Sequence, residues 1–198
     1  TSLNCKVCQL VKLFKNGKPF KMSKRAGDFI SAKDLLNEVD KDPIRFMMLN
    51  RSNDVELDFD FDKVKEKTKD NPVFYVQYAF ARINSLLRIL NKNINEKIKL
   101  DHNNFSLNSN EEKIIRKIFE WPKVIDSCTK KFELHKISYY LYELSTFFHS
   151  YWSKGNEDKN YKFIKNGKIN RPESLAIIYL VGIVIKNGMN ILGVSLPE

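Results

Sequence analysis

Cysteine is scarce. Cys5, Cys8 and Cys128 are three in 198 residues, an odd and widely spaced set that speaks against a disulfide framework and fits a reducing, cytoplasmic setting. No basic head followed by an apolar run opens the chain, so no signal peptide is read. The most apolar stretch, Ala176 to Ile185, is shorter than a bilayer requires, so no membrane partner is expected. Internal repeats and low-complexity tracts are absent. Cys5-Lys6-Val7-Cys8 has zinc-ligand spacing but no second pair, and His102, His135 and His149 fall in separate segments, so the two cysteines read as ordinary strand residues and no metal site is expected. An initiating Met is also missing, and the chain reads as a fragment of something longer.

What is present is a core-forming, basic sequence. Hydrophobic residues make up 42%, enough for a packed interior. Thirty-four Lys/Arg against 24 Asp/Glu leave a net charge of +10, which suits an anionic partner such as nucleic acid or nucleotide as well as a merely soluble basic protein. The charge is uneven. Residues 1–28 carry seven Lys/Arg and one Asp (net +6), residues 29–70 eight and eleven (net −3), and the remainder nineteen and twelve (net +7).

Alternation at Val7, Gln9, Val11 and Leu13 predicts a strand, and Asn16-Gly17 predicts a hairpin into a second strand over Lys18 to Met22. From Ser31 the spacing turns helical, with Ser31-x-x-Asp34 as a capping box ahead of Leu35, Leu36 and Val39. Asp42-Pro43 opens another helix carrying Ile44, Phe46, Met47, Met48 and Leu49. Leu57-Asp58-Phe59-Asp60-Phe61-Asp62 alternates strictly, which fits either an edge strand or an extended linker. Its three aspartates share one face without a chelating turn and read as a solvated edge.

Asp70-Asn71-Pro72 marks a boundary, because everything after it reads as helix. Four helices are expected. The first runs from about Val73 to Leu90 with a buried stripe of Val76, Phe80, Ile83, Leu87 and Leu90. The second starts at a Ser109-x-x-Glu112 box and bends at Pro122; the third, rich in aromatics, spans about Glu133 to Ser153 and stops near Gly155. The fourth opens at Pro172, is apolar from Leu175 to Ile185, must be central, and ends at Asn187-Gly188.

Lys21-Met22-Ser23-Lys24-Arg25-Ala26-Gly27 places three cations, a hydroxyl and a flexible glycine directly after the hairpin. Such a loop can be a solvated basic turn or can close on phosphate, its ammonium groups countering the charge of departing pyrophosphate. On the helices, Tyr75, Gln77 and Tyr78 can stack on or hydrogen-bond to unpaired bases, and Arg82, four residues after Tyr78, can contact phosphate. Tyr139, Tyr140 and Phe147 read as core, and His149 as a packed residue rather than a base.

Lys21-Met22-Ser23-Lys24 matches the KMSK signature of class I aminoacyl-tRNA synthetases. An ordered series extends the likeness: Gln9 to Leu13, Arg45-Phe46, Leu57 to Asp60, Asp70 to Val73, Tyr75 to Ala79, Tyr140 to Leu144, Phe148-His149, Asn187-Gly188 and Leu192 to Val194. With these the chain resembles the bacterial-type arginyl-tRNA synthetase family. The resemblance implies a mainly α chain: residues 1–71 as the end of a Rossmann-type α/β catalytic domain, and 72–198 as an all-helical DALR-type anticodon-binding bundle. It implies Lys21 and Lys24 as catalytic cations, Met22, Ser23, Arg25 and Gly27 as the rest of an ATP-binding loop, and Tyr75, Gln77, Tyr78, Arg82, Asn187 and Gly188 as tRNA contacts.

The implied substrates of the whole enzyme are ATP with Mg²⁺, L-arginine and tRNA(Arg), and the enzyme is expected to be a monomer. The other ATP signature of such enzymes, HIGH, and the amino-acid pocket find no match in this chain, and Asp28 stands where Asn is frequent. Two other readings remain at this point: another class I enzyme such as the cysteine synthetase, and a non-catalytic RNA-binding module.

Overall fold

The computed structural model describes residue 3 and residues 5–20, 30–96 and 106–197. The first strand, β1 (Val11–Lys15), turns through Asn16-Gly17 into the short β2 (Lys18–Pro19). Both turn residues have positive φ, 53° and 69°, the type I′ geometry that suits the twist of a tight hairpin. The strand begins later than its alternation suggests; residues 5–10 are irregular, and Cys5 and Cys8 are exposed free thiols outside any strand.

Two helices follow, α1 (Ala32–Glu38) and α2 (Lys41–Leu49). The Ser31–Asp34 capping box forms as expected. β3 (Leu57–Asp60) then lies parallel to β1, with Val11 opposite Leu57 and Leu13 opposite Phe59. The alternating segment is therefore a strand, with Leu57 and Phe59 buried and Asp58 exposed. Its aspartates are put to use: the Asp60 carboxylate accepts from the amide of Asp62 at 3.0 Å, and Asp62 accepts from the amide of Asn16 at 2.7 Å, which ties the hairpin down. Val39, Leu57, Phe59, Phe61 and Val64 form a small core under this sheet.

The remainder is a helical bundle of α3 (Pro72–Ile89), α4 (Ser109–Phe119), α5 (Trp121–Lys131), α6 (His135–Glu157) and α7 (Pro172–Leu192). The second expected helix is thus two. The chain breaks at Glu120, and Pro122 opens α5 instead of bending a continuous helix, because proline's missing N–H costs nothing in a first turn. The capping box lies one residue earlier than expected, between Asn108 and Glu111.

Gly155 does not stop α6, which runs on to Glu157. A Cβ there would meet the backbone of Tyr161 and Lys162 at 3.2 Å, so glycine permits that close approach. α7 likewise continues past Asn187-Gly188 and ends at Gly193, whose φ of +66° forms a left-handed cap. A hairpin the sequence reading did not anticipate, β4 (Ile164–Lys165) and β5 (Lys168–Ile169), sits between α6 and α7 and turns through Asn166-Gly167, again with positive φ at both residues.

α7 is the centre of the bundle and packs against α3, α4 and α6. At 21 residues it is long and apolar enough to cross a membrane by length and composition, so the expectation that its apolar run is too short does not hold for the helix that carries it. Its apolarity is accounted for by packing: Ile177, Ile178, Val181, Ile185 and Met189 are fully buried. α2 faces two ways. Phe46 enters the bundle core, whereas Ile44, Met47 and Met48 pack on the sheet's core.

Candidate nucleic-acid interface

α3 is amphipathic in a way that sorts its functional candidates. Val73, Val76, Phe80, Ile83 and Leu87 are buried, leaving Tyr75, Tyr78 and Arg82 on a face turned toward α6. There Arg82 joins three neighbours. Its Nη1 lies 2.9 Å from His149 Nδ1, its Nη2 donates to the Tyr78 hydroxyl at 3.0 Å, and its guanidinium carbon lies 4.2 Å over the Tyr78 ring and 4.8 Å over that of Trp152.

His149 Nε2 faces the Tyr75 carbonyl at 3.1 Å, which requires a hydrogen on Nε2 and leaves Nδ1 to accept from Arg82. The imidazole is therefore neutral. Burial, reinforced by the Arg82 cation, pushes its pKa down to about 4, against the opposing pull of the Tyr75 carbonyl. The Tyr75 ring lies 4.4 Å from that of His149 and 5.2 Å from that of Tyr142, tilted by 47° and 41°, and burial raises its phenol pKa. The product is an aromatic shelf stiffened by one guanidinium. Tyr78, flanked by Phe74, His149 and Arg82 yet still 42% exposed, is its outermost ring.

The other candidates divide. Gln77 is not free to reach outward, since its amide donates to the Ser195 carbonyl at 2.9 Å; Asn84 does the same to Pro197 at 3.1 Å, and together they lay residues 195–197 along α3. Asn187 is exposed and helps line a shallow cavity of about 330 Å³ with Asn190, Val194 and Leu196. Gly188 corrects the expectation made for it. It is buried inside α7, where a Cβ would come within 2.7 Å of Leu141, so it serves the α6–α7 contact rather than a surface.

Lys21, Met22, Ser23, Lys24, Arg25 and Gly27 lie outside the described residues. The anchors on either side are described. The Phe20 amide donates to the Leu13 carbonyl at 2.7 Å, and the Ser31 capping box opens α1. Among the described residues, no three His, Cys, Asp or Glu stand close enough to hold a metal ion.

Sequence reasoning missed Trp152 as the second ring on Arg82, and the β4–β5 hairpin. Trp152 carried no signal beyond an aromatic helix. The hairpin did, because Asn166-Gly167 between Ile164-Lys165 and Lys168-Ile169 repeats the pattern of Asn16-Gly17.

Residues 76–198, most of the bundle, match the DALR anticodon binding domain. The chain belongs to the DALR anticodon-binding family. The DALR region and the residues before it continue together into longer relatives: the chain is 54% identical over 196 residues to the arginine–tRNA ligase of Pelagibacter ubique, covering 99% of this chain and 34% of that protein. The arginine–tRNA ligase of Ruegeria pomeroyi is 44% identical over 206 residues, covering 99% and 35%. The chain thus spans about a third of the length of the curated relatives it matches.

In three dimensions the chain resembles an arginyl-tRNA synthetase structure from Campylobacter jejuni, with a TM-score of 0.79 at 29% identity over 96% of this chain and 39% of that one. The Thermus thermophilus arginyl-tRNA synthetase shares the fold, at a TM-score of 0.64 and 19% identity over 96% and 34%. The mainly helical architecture is that of the DALR-containing region of these proteins.

Proposed function

We propose that this chain is the C-terminal part of an arginine–tRNA ligase, which attaches L-arginine to tRNA(Arg) with ATP through an arginyl-adenylate. The observation that carries this reading is the 54% identity to such a ligase across 99% of the chain. Residues 1–71 are the end of the catalytic domain and 72–198 the anticodon-binding domain, with α2 as the helix that touches both.

In this reading the arginine carboxylate attacks the α-phosphate of ATP. The ammonium groups of Lys21 and Lys24 counter the charge that builds on the departing pyrophosphate, while Met22, Ser23, Arg25 and Gly27 shape the loop that brings them there. The hairpin and α1 fix the two ends of that loop. The terminal ribose hydroxyl of the tRNA then attacks the adenylate carbonyl. Mg²⁺ accompanies the nucleotide as part of the substrate. The chain's second task is to hold the anticodon arm on the shelf of Tyr75, Tyr78 and Arg82, with Asn187 on the neighbouring α7 surface and Gln77 positioning the 195–197 segment beside Tyr78. The enzyme acts as a cytoplasmic monomer.

The test is a charging assay on the complete protein with each of the twenty amino acids and total tRNA. Arginine alone should be esterified. Charging of cysteine would assign the chain to a different class I enzyme, and tRNA binding without any charging would reduce it to an RNA-binding module.

A further inference from the structure

The β4–β5 hairpin carries an arrangement that packing does not explain. Its register sets Ile164 opposite Ile169 and Lys165 opposite Lys168. The isoleucine pair turns inward onto the bundle core. The lysine pair therefore shares the outer face, and both lysines are exposed. Like charges directly opposite on a two-stranded ribbon repel and weaken it. The neighbourhood offers no relief. Between residues 153 and 171 stand six Lys/Arg and only Glu157 and Asp158 as acids.

Two of the six cations are engaged elsewhere. Lys154 is bonded to Asn110, and Arg171 to Glu111 and Glu173. Among the described residues, Lys159, Lys162, Lys165 and Lys168 form no ion pair, and all four are exposed. Lys162 also lines an apolar cavity of about 290 Å³ formed with Leu86, Ile89, Trp152, Tyr161, Phe163 and Ile164. Trp152 is also the ring that carries Arg82, so the cavity at the base of the hairpin adjoins the Tyr78 shelf.

We infer that the β4–β5 hairpin is a phosphate-binding finger, which grips the backbone of the RNA held on the α3–α6 shelf through Lys165 and Lys168, with Lys159 and Lys162 behind them. The inference rests on the proposed tRNA-binding role. An RNA backbone is the partner that fits, because phosphates in series answer a row of cations whose only nearby carboxylates in sequence, Glu157 and Asp158, leave it with excess positive charge, and the aromatic cavity at Lys162 can take an unstacked base. The mutual repulsion of Lys165 and Lys168 is then relieved only when RNA is bound.

That trade-off supplies the test. In the complete protein, Lys168→Glu converts the repelling pair into an attracting one. Its melting temperature should rise by about 1–2 °C, while tRNA affinity in low salt falls about tenfold or more. Lys168→Gln, which keeps the shape and loses one charge, should reduce the slope of log affinity against log salt by about 0.7 to 0.9. Lys123→Glu on exposed α5 makes the same change in net charge and serves as the comparison. Unchanged affinity and slope in both Lys168 variants, with wild-type binding intact, would overturn the finger, as would an equal loss in Lys123→Glu. Absence of tRNA binding by the wild type would instead overturn the functional reading on which it rests.

Discussion

Arg45 Nε donates to the main-chain carbonyl of Leu192, so a side chain from α2 closes the last turn of α7 across 147 residues of sequence. The contact places a cation at the negative end of a helix dipole and ties the sheet-bearing part of the chain to the centre of the bundle. Gly193 makes room for it. An ideal Cβ at 193 would lie 2.5 Å from Arg45 Nε, and the backbone there has φ +66°.

Gly193→Ala should therefore destabilise the chain by about 2 kcal/mol, combining left-handed strain of about 1 kcal/mol with a weakened charge-assisted hydrogen bond. Thermal denaturation should show a fall of about 4–8 °C. In a double-mutant cycle with Arg45→Ala the two losses should be less than additive. Independent losses would mean that the glycine acts through its backbone alone.

Acid should reveal His149. Its folded pKa of about 4 lies below the ordinary value of 6.5, so the group stays neutral in the folded chain while the unfolded chain takes up a proton. Its contribution is complete above pH 6.5 and is lost as pH falls from 6.5 toward 4, by at most about 3 kcal/mol. Denaturant titrations from pH 7.5 to 4.5 should show a steeper decline for the wild type than for His149→Gln, whose carboxylates titrate in common with it. Parallel curves would show that the folded imidazole protonates normally.

On the proposed function, two substitutions in the complete protein should separate chemistry from RNA grip. Arg82→Lys supplies one ammonium where a planar fork spans His149 and Tyr78, so Tyr78 loses its brace and tRNA affinity should fall about tenfold. Arginine activation should stay comparatively intact once tRNA is saturating. Lys24→Ala should lower kcat by about a hundredfold or more with tRNA saturating, while leaving tRNA affinity within about twofold. Equal loss of tRNA affinity in both would reject this division of labour.

A further substitution tests a buried charge. Glu111 is fully buried, and its carboxylate accepts from Tyr151 at 2.8 Å and from the Asn108 amide at 2.8 Å, and pairs with Arg171 at 3.1 Å. Glu111→Ala removes the acceptor of Tyr151 and of the Asn108 amide and leaves Arg171 with Glu173 as its remaining carboxylate. Because Arg171 keeps Glu173 and some contact with water, the cost should fall at the low end of the range for broken buried pairs, about 3 kcal/mol. Glu111→Gln should recover part of it in urea denaturation. A cost under about 0.5 kcal/mol, the scale of an exposed pair, would show that solvent replaces the lost partner.

Local chemistry was legible wherever one residue type dictates the backbone. Asn16-Gly17 announced its turn, Ser31-x-x-Asp34 its cap, and the stripe of Val76, Phe80, Ile83 and Leu87 its buried face. The apolar run of the last helix marked it as central, which its packing bears out. Helix ends were harder. Gly155 and Gly188 looked like terminators, but each is a glycine because another chain segment passes close by, a tertiary cause invisible to local spacing.

The candidate site was legible by residue type more than by geometry. Tyr78 and Arg82 were paired correctly by their spacing, whereas the ring and imidazole that hold Arg82 come from α6, more than sixty residues away. Gln77 looked like a hydrogen-bonding probe for bases and instead fastens the 195–197 segment, a contact set by where that segment happens to lie.

The central position of α7 has a consequence for synthesis. A ribosome makes α3, α4, α5 and α6 before Pro172 to Leu192, yet the buried faces of α3, α4 and α6 meet on that later helix. Until it emerges, the nascent bundle exposes the apolar stripes that will surround it, the kind of surface chaperones bind and other unfinished chains adhere to. A message cut short just before Pro172 should therefore yield insoluble product rather than a smaller RNA-binding protein.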